Sequence, residues 1–198
     1  MLEFKNAKVA LSAGSSSRPF SLVMGSGEVC CLCGPAGSGK SRLLLSVLGL
    51  EPLMGGYVTV DGELVTPGSS AYFRQMVAYV PQQVPDVGDR VSDLCDMVLR
   101  LRSHPKAAER RNELAAQWQL LGIDAGYAGR RVDEVPTATL QLIMLSLAPL
   151  LGKPILLVDN PVQNAEVQSF LQGLASVGTE ILYTCRENKM QCNQIVNL

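Results

Sequence analysis

The sequence is poor in the residues that build metal sites, and its charge is low and balanced. It has one histidine, His104, and six cysteines without the paired spacing of a zinc site, which excludes an ordinary zinc centre. Charged residues make up 18 % of the chain, and the formal net charge is −1. These values argue against disorder and against a broad basic field, so no nucleic-acid partner is expected.

Long apolar runs are also missing. The longest, residues 140–151, is too short to cross a bilayer and contains Pro149. The opening residues M-L-E-F-K-N lack a basic region followed by an apolar one, so no secretory signal is expected. Cys30, Cys31 and Cys33 crowd one apolar stretch, which is typical of reduced cysteines in a cytosolic protein.

The length and pattern of the chain favour one α/β domain over its 198 residues (1–198). Apolar runs at residues 27–33, 155–158 and 180–184 predict buried strands, and segments with helical spacing lie between them. This alternation indicates a mainly parallel sheet. The first residues and the segment around Asp61-Gly62 instead predict short strands and a hairpin, in an N-terminal antiparallel β portion.

Helical spacing dominates the middle of the chain. Residues 91–122 and 140–151 carry it, and together they are too long for one crossover between parallel strands. We therefore expect a helical subdomain, inserted at residues 84–150.

The most specific motif is G-P-A-G-S-G-K-S, residues 34–41, which matches G-x-x-x-x-G-K-[ST] between a predicted strand and helix. Its glycines let backbone N–H groups curve around phosphate oxygens, and the helix turns its N-terminus to the anion. The predicted phosphate-binding residues are Gly34, Pro35, Ala36, Gly37, Ser38, Gly39, Lys40 and Ser41. Lys40 would reach the β- and γ-phosphates and Ser41 a magnesium ion. The alternative is a glycine-rich turn that binds no nucleotide.

A second polar feature follows the apolar run I-L-L-V. Asp159 ends this predicted strand and suits the magnesium shell of a P-loop protein; the alternative is a solvated residue at a strand end. The next residue is Asn160, whose amide can orient water but cannot accept its proton.

Four stretches in order resemble the ATP-binding subunit of ABC transporters: G-P-A-G-S-G-K-S, G-L-E-P-L-M-G-G-Y-V-T-V-D-G, V-A-Y-V-P-Q and I-L-L-V-D-N-P. The resemblance covers nearly the whole chain and implies a P-loop NTPase core that takes ATP and Mg²⁺. It implies that Gln82 binds both nucleotide and metal, alongside Ser41 and Asp159. It also implies a dimer, with itself or with another ATP-binding subunit, and a membrane permease docked near the Gln82 loop.

The departures from the family are equally specific. The family's L-S-G-G-Q is V-P-T-A-T here, residues 135–139, in which Thr137 or Thr139 would cap the next helix or replace a phosphate contact. Asn160 stands at the position of the water-activating Glu and Cys185 at that of the histidine. No aromatic matches the one that stacks on adenine, since Phe4 and Phe20 are expected in the core. Arg42 replaces a Thr and would contact phosphate or face solvent.

Our first hypothesis is a degenerate subunit, cytoplasmic and peripheral on the inner face of a membrane, that binds Mg-ATP with weak or no hydrolysis. The second is an active ATPase in which Gln163 or Glu134 positions water. A third is a small P-loop kinase, whose arginine-rich lid would use the pairs Arg110-Arg111 or Arg130-Arg131. A fourth is a structural protein with an empty loop.

Overall fold

The structure is a computed structural model that describes residues 1–11, 14–85, 89–101 and 106–198. His104 lies outside the described residues. The strands are β1 Leu2–Val9, β2 Phe20–Met24, β3 Val29–Cys33, β4 Leu53–Val60, β5 Glu63–Leu64, β6 Val77–Val80, β7 Ile155–Val158, β8 Glu180–Cys185 and β9 Gln194–Asn197. The α-helices are α1 Lys40–Val47, α2 Ser70–Met76, α3 Val91–Leu99, α4 Leu114–Leu120, α5 Thr137–Ser146, α6 Ala148–Leu151 and α7 Ala165–Ser176.

The N-terminal strands form an antiparallel sheet in the order β2-β1-β4-β5. Strand β2 alternates buried and exposed residues, as a strand with one face on the core must. The predicted hairpin at Asp61-Gly62 joins β4 to β5, and Asp61 has the positive φ of 51° that such a turn favours. Phe4 and Phe20 pack together with ring centroids 5.1 Å apart, so their expected place in the core is confirmed.

The second sheet has the order β6-β7-β8-β3-β9, and its strand pairs are parallel. Every residue of β7 and β8 is buried, which confirms the predicted α/β core with a parallel sheet. The register pairs Val80 with Val158, Val158 with Tyr183, and Cys33 with Cys185. The carboxyl ends of these strands therefore meet at one edge of the sheet.

Apolar side chains cover both faces of the parallel sheet. On one face, alternate strand residues pack with helices α3 to α5 and α7 through side chains such as Leu94, Ile143 and Phe170. On the other face, the intervening residues pack with α1, α2 and the antiparallel sheet. This arrangement places α1, which follows the phosphate loop, between the two sheets.

The helical region is more broken than its sequence pattern suggests. Residues 91–122 contain α3, a 3₁₀ helix at Ala107–Glu113 and α4, and shorter 3₁₀ helices follow at Ala125–Gly129 and Val132–Glu134. The prediction of one helix over residues 140–151 is wrong, because the chain forms α5 and then α6. Pro149 has no N–H to donate to Leu145, so the helix cannot run through it.

The expected capping of this helix by a threonine is also wrong. Pro136 occupies the N-cap position with φ −54°, and α5 begins directly after it at Thr137. Both threonines therefore lie in the first turn, and no side chain caps the helix. Of the helices in the described parts of the chain, none is long and apolar enough to cross a membrane.

Candidate nucleotide-binding site

A cavity of about 380 Å³ lies at the edge where the parallel strands end. It gathers residues that follow β3, β6, β7 and β8, together with the end of the first strand segment. The lining residues are Ala10, Leu11, Ala36, Gly37, Gly39, Lys40, Ser41, Arg42, Gln82, Asp159, Asn160, Thr184 and Arg186. The structure thus brings together most of the predicted site residues from three separate segments.

The phosphate loop has the conformation that its glycines allow. Gly37 and Gly39 have φ values of +81° and +91°, in the left-handed region that other residues avoid. A Cβ on Gly39 would also lie 2.7 Å from Cγ2 of Val9, so space as well as conformation requires glycine there. The loop is thereby held against the end of β1.

Lys40 spans this loop. Its Nζ donates to the carbonyl oxygens of Gly34 and Pro35, each at 2.7 Å, and to Oγ of Ser38 at 3.2 Å. These three loop residues do not line the cavity themselves but position the lysine that does. Burial lowers the pKa of Lys40, and the nearby Asp159 carboxylate opposes that shift.

Asp159 is held by contacts that the sequence did not reveal. Its side chain is buried, and Oδ1 accepts a hydrogen bond of 2.6 Å from the Thr184 hydroxyl. The same hydroxyl accepts one of 2.9 Å from the backbone N–H of Asn160. The buried amide of Gln141, on α5, donates to the backbone oxygen of Asp159 at 2.8 Å and to that of Pro81 at 3.2 Å. Thr184 thus holds the Asp159 carboxylate, and Gln141 of α5 holds the backbone of the same residue.

Asn160 lines the cavity beside Asp159 with a positive φ of 50°. Asparagine tolerates this conformation better than most residues do. Of the described residues that line the cavity, only Asp159 carries a carboxylate. A group able to accept a proton from water is therefore missing at the Asn160 position.

Cys185, which stands at the position of the family's histidine, lies outside the cavity, whereas its neighbour Arg186 lines it. Cys185 is buried, with its Sγ 3.2 Å from Sγ of Cys31, and it does not line the cavity. Thr184 and Arg186, on either side of it, do line the cavity, because successive strand residues point to opposite faces. Arg186 was missed because the family resemblance directed attention to the cysteine.

Arg42 lies at the opposite end of the cavity. Its Nη1 donates to the backbone oxygen of Ala10 at 2.6 Å and lies 3.5 Å from Oε1 of Glu51. The guanidinium is therefore bound to the protein rather than free in solvent. Ala10 and Leu11 line this end, where the resemblance leads one to look for an aromatic residue.

The groups proposed for alternative chemistry are placed elsewhere. Gln163 uses both ends of its amide, donating to the oxygen of Glu187 at 2.9 Å and accepting from the N–H of Lys189 at 2.7 Å. It is thus not available to position water, and Glu134 does not line the cavity.

The arginine pairs considered for a kinase lid lie outside the cavity as well. Three of these four arginines form ion pairs with acids of the helical region: Arg110 with Glu113, Arg111 with Asp96, and Arg131 with Asp133.

Residues 17–163 match the family model described as ABC transporter. The chain is 33 % identical over 165 residues to the phosphonates import ATP-binding protein PhnC of Hyphomonas neptunium. That alignment covers 76 % of this chain and 60 % of the relative, so the chain spans less than two thirds of the relative's length.

Two solved structures share the fold. One is an ATP-binding subunit of an ABC transporter, with a TM-score of 0.79 at 19 % identity. The match covers 100 % of this chain and 85 % of the solved chain. The other is the dimeric post-hydrolysis state of an ATP-binding cassette bound to ADP and Pi. Its TM-score is 0.76 at 17 % identity, with coverage of 94 % of this chain and 88 % of its own.

Proposed function

The chain belongs to the ABC transporter family, and we propose that it acts there as a subunit that binds Mg-ATP and hydrolyses it slowly or not at all. The observation that carries this proposal is the composition of the cavity. An intact phosphate loop lines it, while Asp159 is the one carboxylate among its described lining residues. The site thus has the groups that hold a triphosphate but not a base that activates water.

Binding of the triphosphate uses the loop and Lys40. The positive φ values of Gly37 and Gly39 let backbone N–H groups of the loop curve around an anion. Helix α1 begins at Lys40, which lines the cavity, so the positive end of that helix would also favour the anion. Lys40 now donates to loop carbonyls, and phosphate oxygens would replace those partners. Exchanging neutral acceptors for charged ones favours binding, because charge-assisted hydrogen bonds are the stronger ones.

The oxygen groups at the cavity fit magnesium. Ser41, Gln82 and Asp159 offer a hydroxyl, an amide and a carboxylate, and all three line the cavity. Among the residues that the structure describes, no group of three or more His, Cys, Asp or Glu could hold a metal alone. Magnesium does not need one, since it is usually bound through one or two carboxylates together with substrate phosphates. The ion would neutralise phosphate charge.

Slow hydrolysis follows from Asn160. Its amide can hydrogen-bond a water molecule but cannot take its proton, and loss of a general base typically costs about 10²–10⁴-fold in rate. Asp159 does not substitute, because Thr184 and the metal would occupy its oxygens.

The segment V-P-T-A-T adds a second defect. In the family that the sequence resembles, this stretch of one subunit closes on the nucleotide bound to the partner subunit, and we extend that role to residues 135–139. Pro136 has no N–H to donate, and both glycines of the family pattern are replaced. Loss of a preorganised donor costs about 10²–10³-fold when measured alone. We propose that dimers, with a second copy or with another ATP-binding subunit, would still contain impaired sites.

The partner of such a subunit is a membrane permease. The relative from Hyphomonas neptunium is named as an import ATP-binding protein, and this supports a transport role for the present chain. We place the docking site near the Gln82 loop, beside a helical subdomain at residues 84–150. The protein would then be cytoplasmic and peripheral on the inner face of the membrane, regulating or assembling the complex.

The test is equilibrium binding of ATP with and without Mg²⁺, combined with steady-state hydrolysis by the same preparation. The Lys40→Ala variant is the control, because it removes the cation that binds the phosphates. We expect Mg-dependent ATP binding that this variant abolishes, with turnover of about 0.1 per second or less after the activity of the variant is subtracted. A wild-type protein that binds no ATP would overturn the proposed function.

A further inference from the structure

Arg186 occupies a place in the cavity that the proposed function does not yet use. It follows β8, and its neighbour Cys185 turns into the core. Arg186 shares its side of the chain with Thr184, whose hydroxyl contacts both Asp159 and Asn160. Arg186 therefore lines the cavity directly after the strand whose Thr184 holds Asp159, the residue proposed to bind the metal.

Among the three cations that line the cavity, Arg186 is the one whose side chain makes no hydrogen bond or ion pair within the described residues. Lys40 donates to the phosphate loop, and Arg42 is bound to Ala10 and Glu51. Within residues 1–11, 14–85, 89–101 and 106–198, the Arg186 side chain has no hydrogen-bond or ion-pair partner. Five free N–H groups in a planar fork match the geometry of a phosphate.

The charges around Arg186 favour an anion. Lys40, Arg42 and Arg186 line the cavity together with a single described acid, Asp159. Burial lowers the pKa of Lys40, and the positive charge of Arg186 lowers it further. The two cations are therefore close enough to repel each other. An anion between them would relieve their repulsion.

The backbone that carries Arg186 is held in place. The Cys33 thiol, next to the phosphate loop, donates to the Arg186 carbonyl at 3.3 Å. Gln163 binds the same loop through Glu187 and Lys189. The guanidinium thus extends from a braced turn that connects the phosphate loop with the segment after Asp159.

We propose that Arg186 binds the terminal phosphate of the bound nucleotide and so makes the site selective for ATP over ADP. Position and free donors carry the proposal: Arg186 lines the cavity just after Thr184, which contacts Asp159, whereas Arg42 is hydrogen-bonded to Ala10. The proposal rests on the ATP binding proposed above.

The test compares dissociation constants for ATP and ADP, each with Mg²⁺, in wild-type protein and in Arg186→Ala. A lost charge-assisted contact to one phosphate is expected to weaken ATP binding about tenfold, which corresponds to about 1.4 kcal/mol. ADP affinity should change less than about twofold, because the phosphate that Arg186 contacts is missing. Arg186→Lys should retain part of the preference, since it keeps the charge but loses the fork.

Lys189→Ala is the matched control. It removes one positive charge from the same exposed turn, but Lys189 does not line the cavity. We expect it to change ATP and ADP affinity equally and slightly. Thermal unfolding of each variant checks the fold, and Arg186 is exposed, so its replacement opens no cavity.

Two results would overturn the proposal. One is an Arg186→Ala variant with unchanged ATP affinity, and the other is an equal loss for ATP and ADP, which would indicate a general charge effect. Wild-type protein that binds neither nucleotide would instead refute the proposed ATP-binding function. The two failures are therefore distinguishable.

Discussion

Replacing Thr184 by valine should destabilise the protein although the two side chains are nearly equal in size. The side chain is fully buried, and valine preserves its branched shape while removing the hydroxyl. The change leaves the Asp159 carboxylate without its donor at 2.6 Å and the Asn160 N–H without its acceptor at 2.9 Å. The perturbation is thus confined to two hydrogen bonds.

The expected loss in the free energy of unfolding follows from the strengths of these two hydrogen bonds. The bond to the carboxylate is charge-assisted and worth about 1.5–3 kcal/mol, and the neutral bond is worth about 0.5–1.5 kcal/mol. We therefore expect Thr184→Val to lower the free energy of unfolding by about 2–4 kcal/mol. With a urea m-value of about 2 kcal/mol/M, the midpoint should fall by about 1–2 M.

Urea unfolding followed by circular dichroism is the assay, and Thr59→Val is the matched control. Thr59 is also a buried strand threonine, but its hydroxyl makes only a long contact, 3.4 Å, to Oε2 of Glu3. The control should lose less than about 1 kcal/mol. If both variants lose the same free energy of unfolding, the network around Asp159 does not stabilise the fold as argued.

Two further predictions concern other parts of the core. Gln141→Leu leaves buried carbonyls, including that of Asp159, without a donor, and should lower the free energy of unfolding by about 1–3 kcal/mol. The control is Gln75→Leu, which should change the free energy of unfolding little because Gln75 is exposed. Cys185 should resist iodoacetamide in the native protein at pH 7.5, because burial raises the pKa of its thiol to about 11. Peptide mass spectrometry should find the partly exposed Cys33 labelled before Cys185. Rapid labelling of Cys185 in the native protein would contradict this prediction.

The phosphate loop and the strands around it could be predicted because their signals are local. A glycine-rich turn between an apolar run and a helix specifies its own backbone, as the positive φ of Gly39 illustrates. Asp159 could be predicted for the same reason, since it ends a buried run. The parallel sheet followed from fully apolar strands, and the structure confirms it.

The contacts around Asp159 could not be predicted, because they depend on tertiary neighbours. Gln141 and Thr184 are distant in sequence and meet the aspartate only through strand order and the placement of α5. Arg186 depends on the alternation along β8, which decides that Cys185 faces the core. A shift of one residue would exchange the two side chains.

The helix at residues 140–151 shows a different cause of error. Its apolar spacing favours one helix, and Pro149 was visible in the sequence. Yet the cost of a proline depends on where one helix ends and the next begins, because a proline in the first turn of a helix interrupts no hydrogen bond. The structure ends α5 at Ser146 and restarts at Ala148, with Pro149 in the first turn of α6, where a missing N–H costs little.

Steady-state ATP hydrolysis by the purified protein at saturating Mg-ATP tests the central claim most directly, with Lys40→Ala measured in parallel to subtract contaminating activity. Enzymes typically turn over about 1–10³ times per second, and loss of the base lowers such a rate by about 10²-fold or more. Starting from the median of about 10 per second, we therefore predict turnover of about 0.1 per second or less, together with measurable ATP binding. Turnover near one per second that Lys40→Ala abolishes would contradict it.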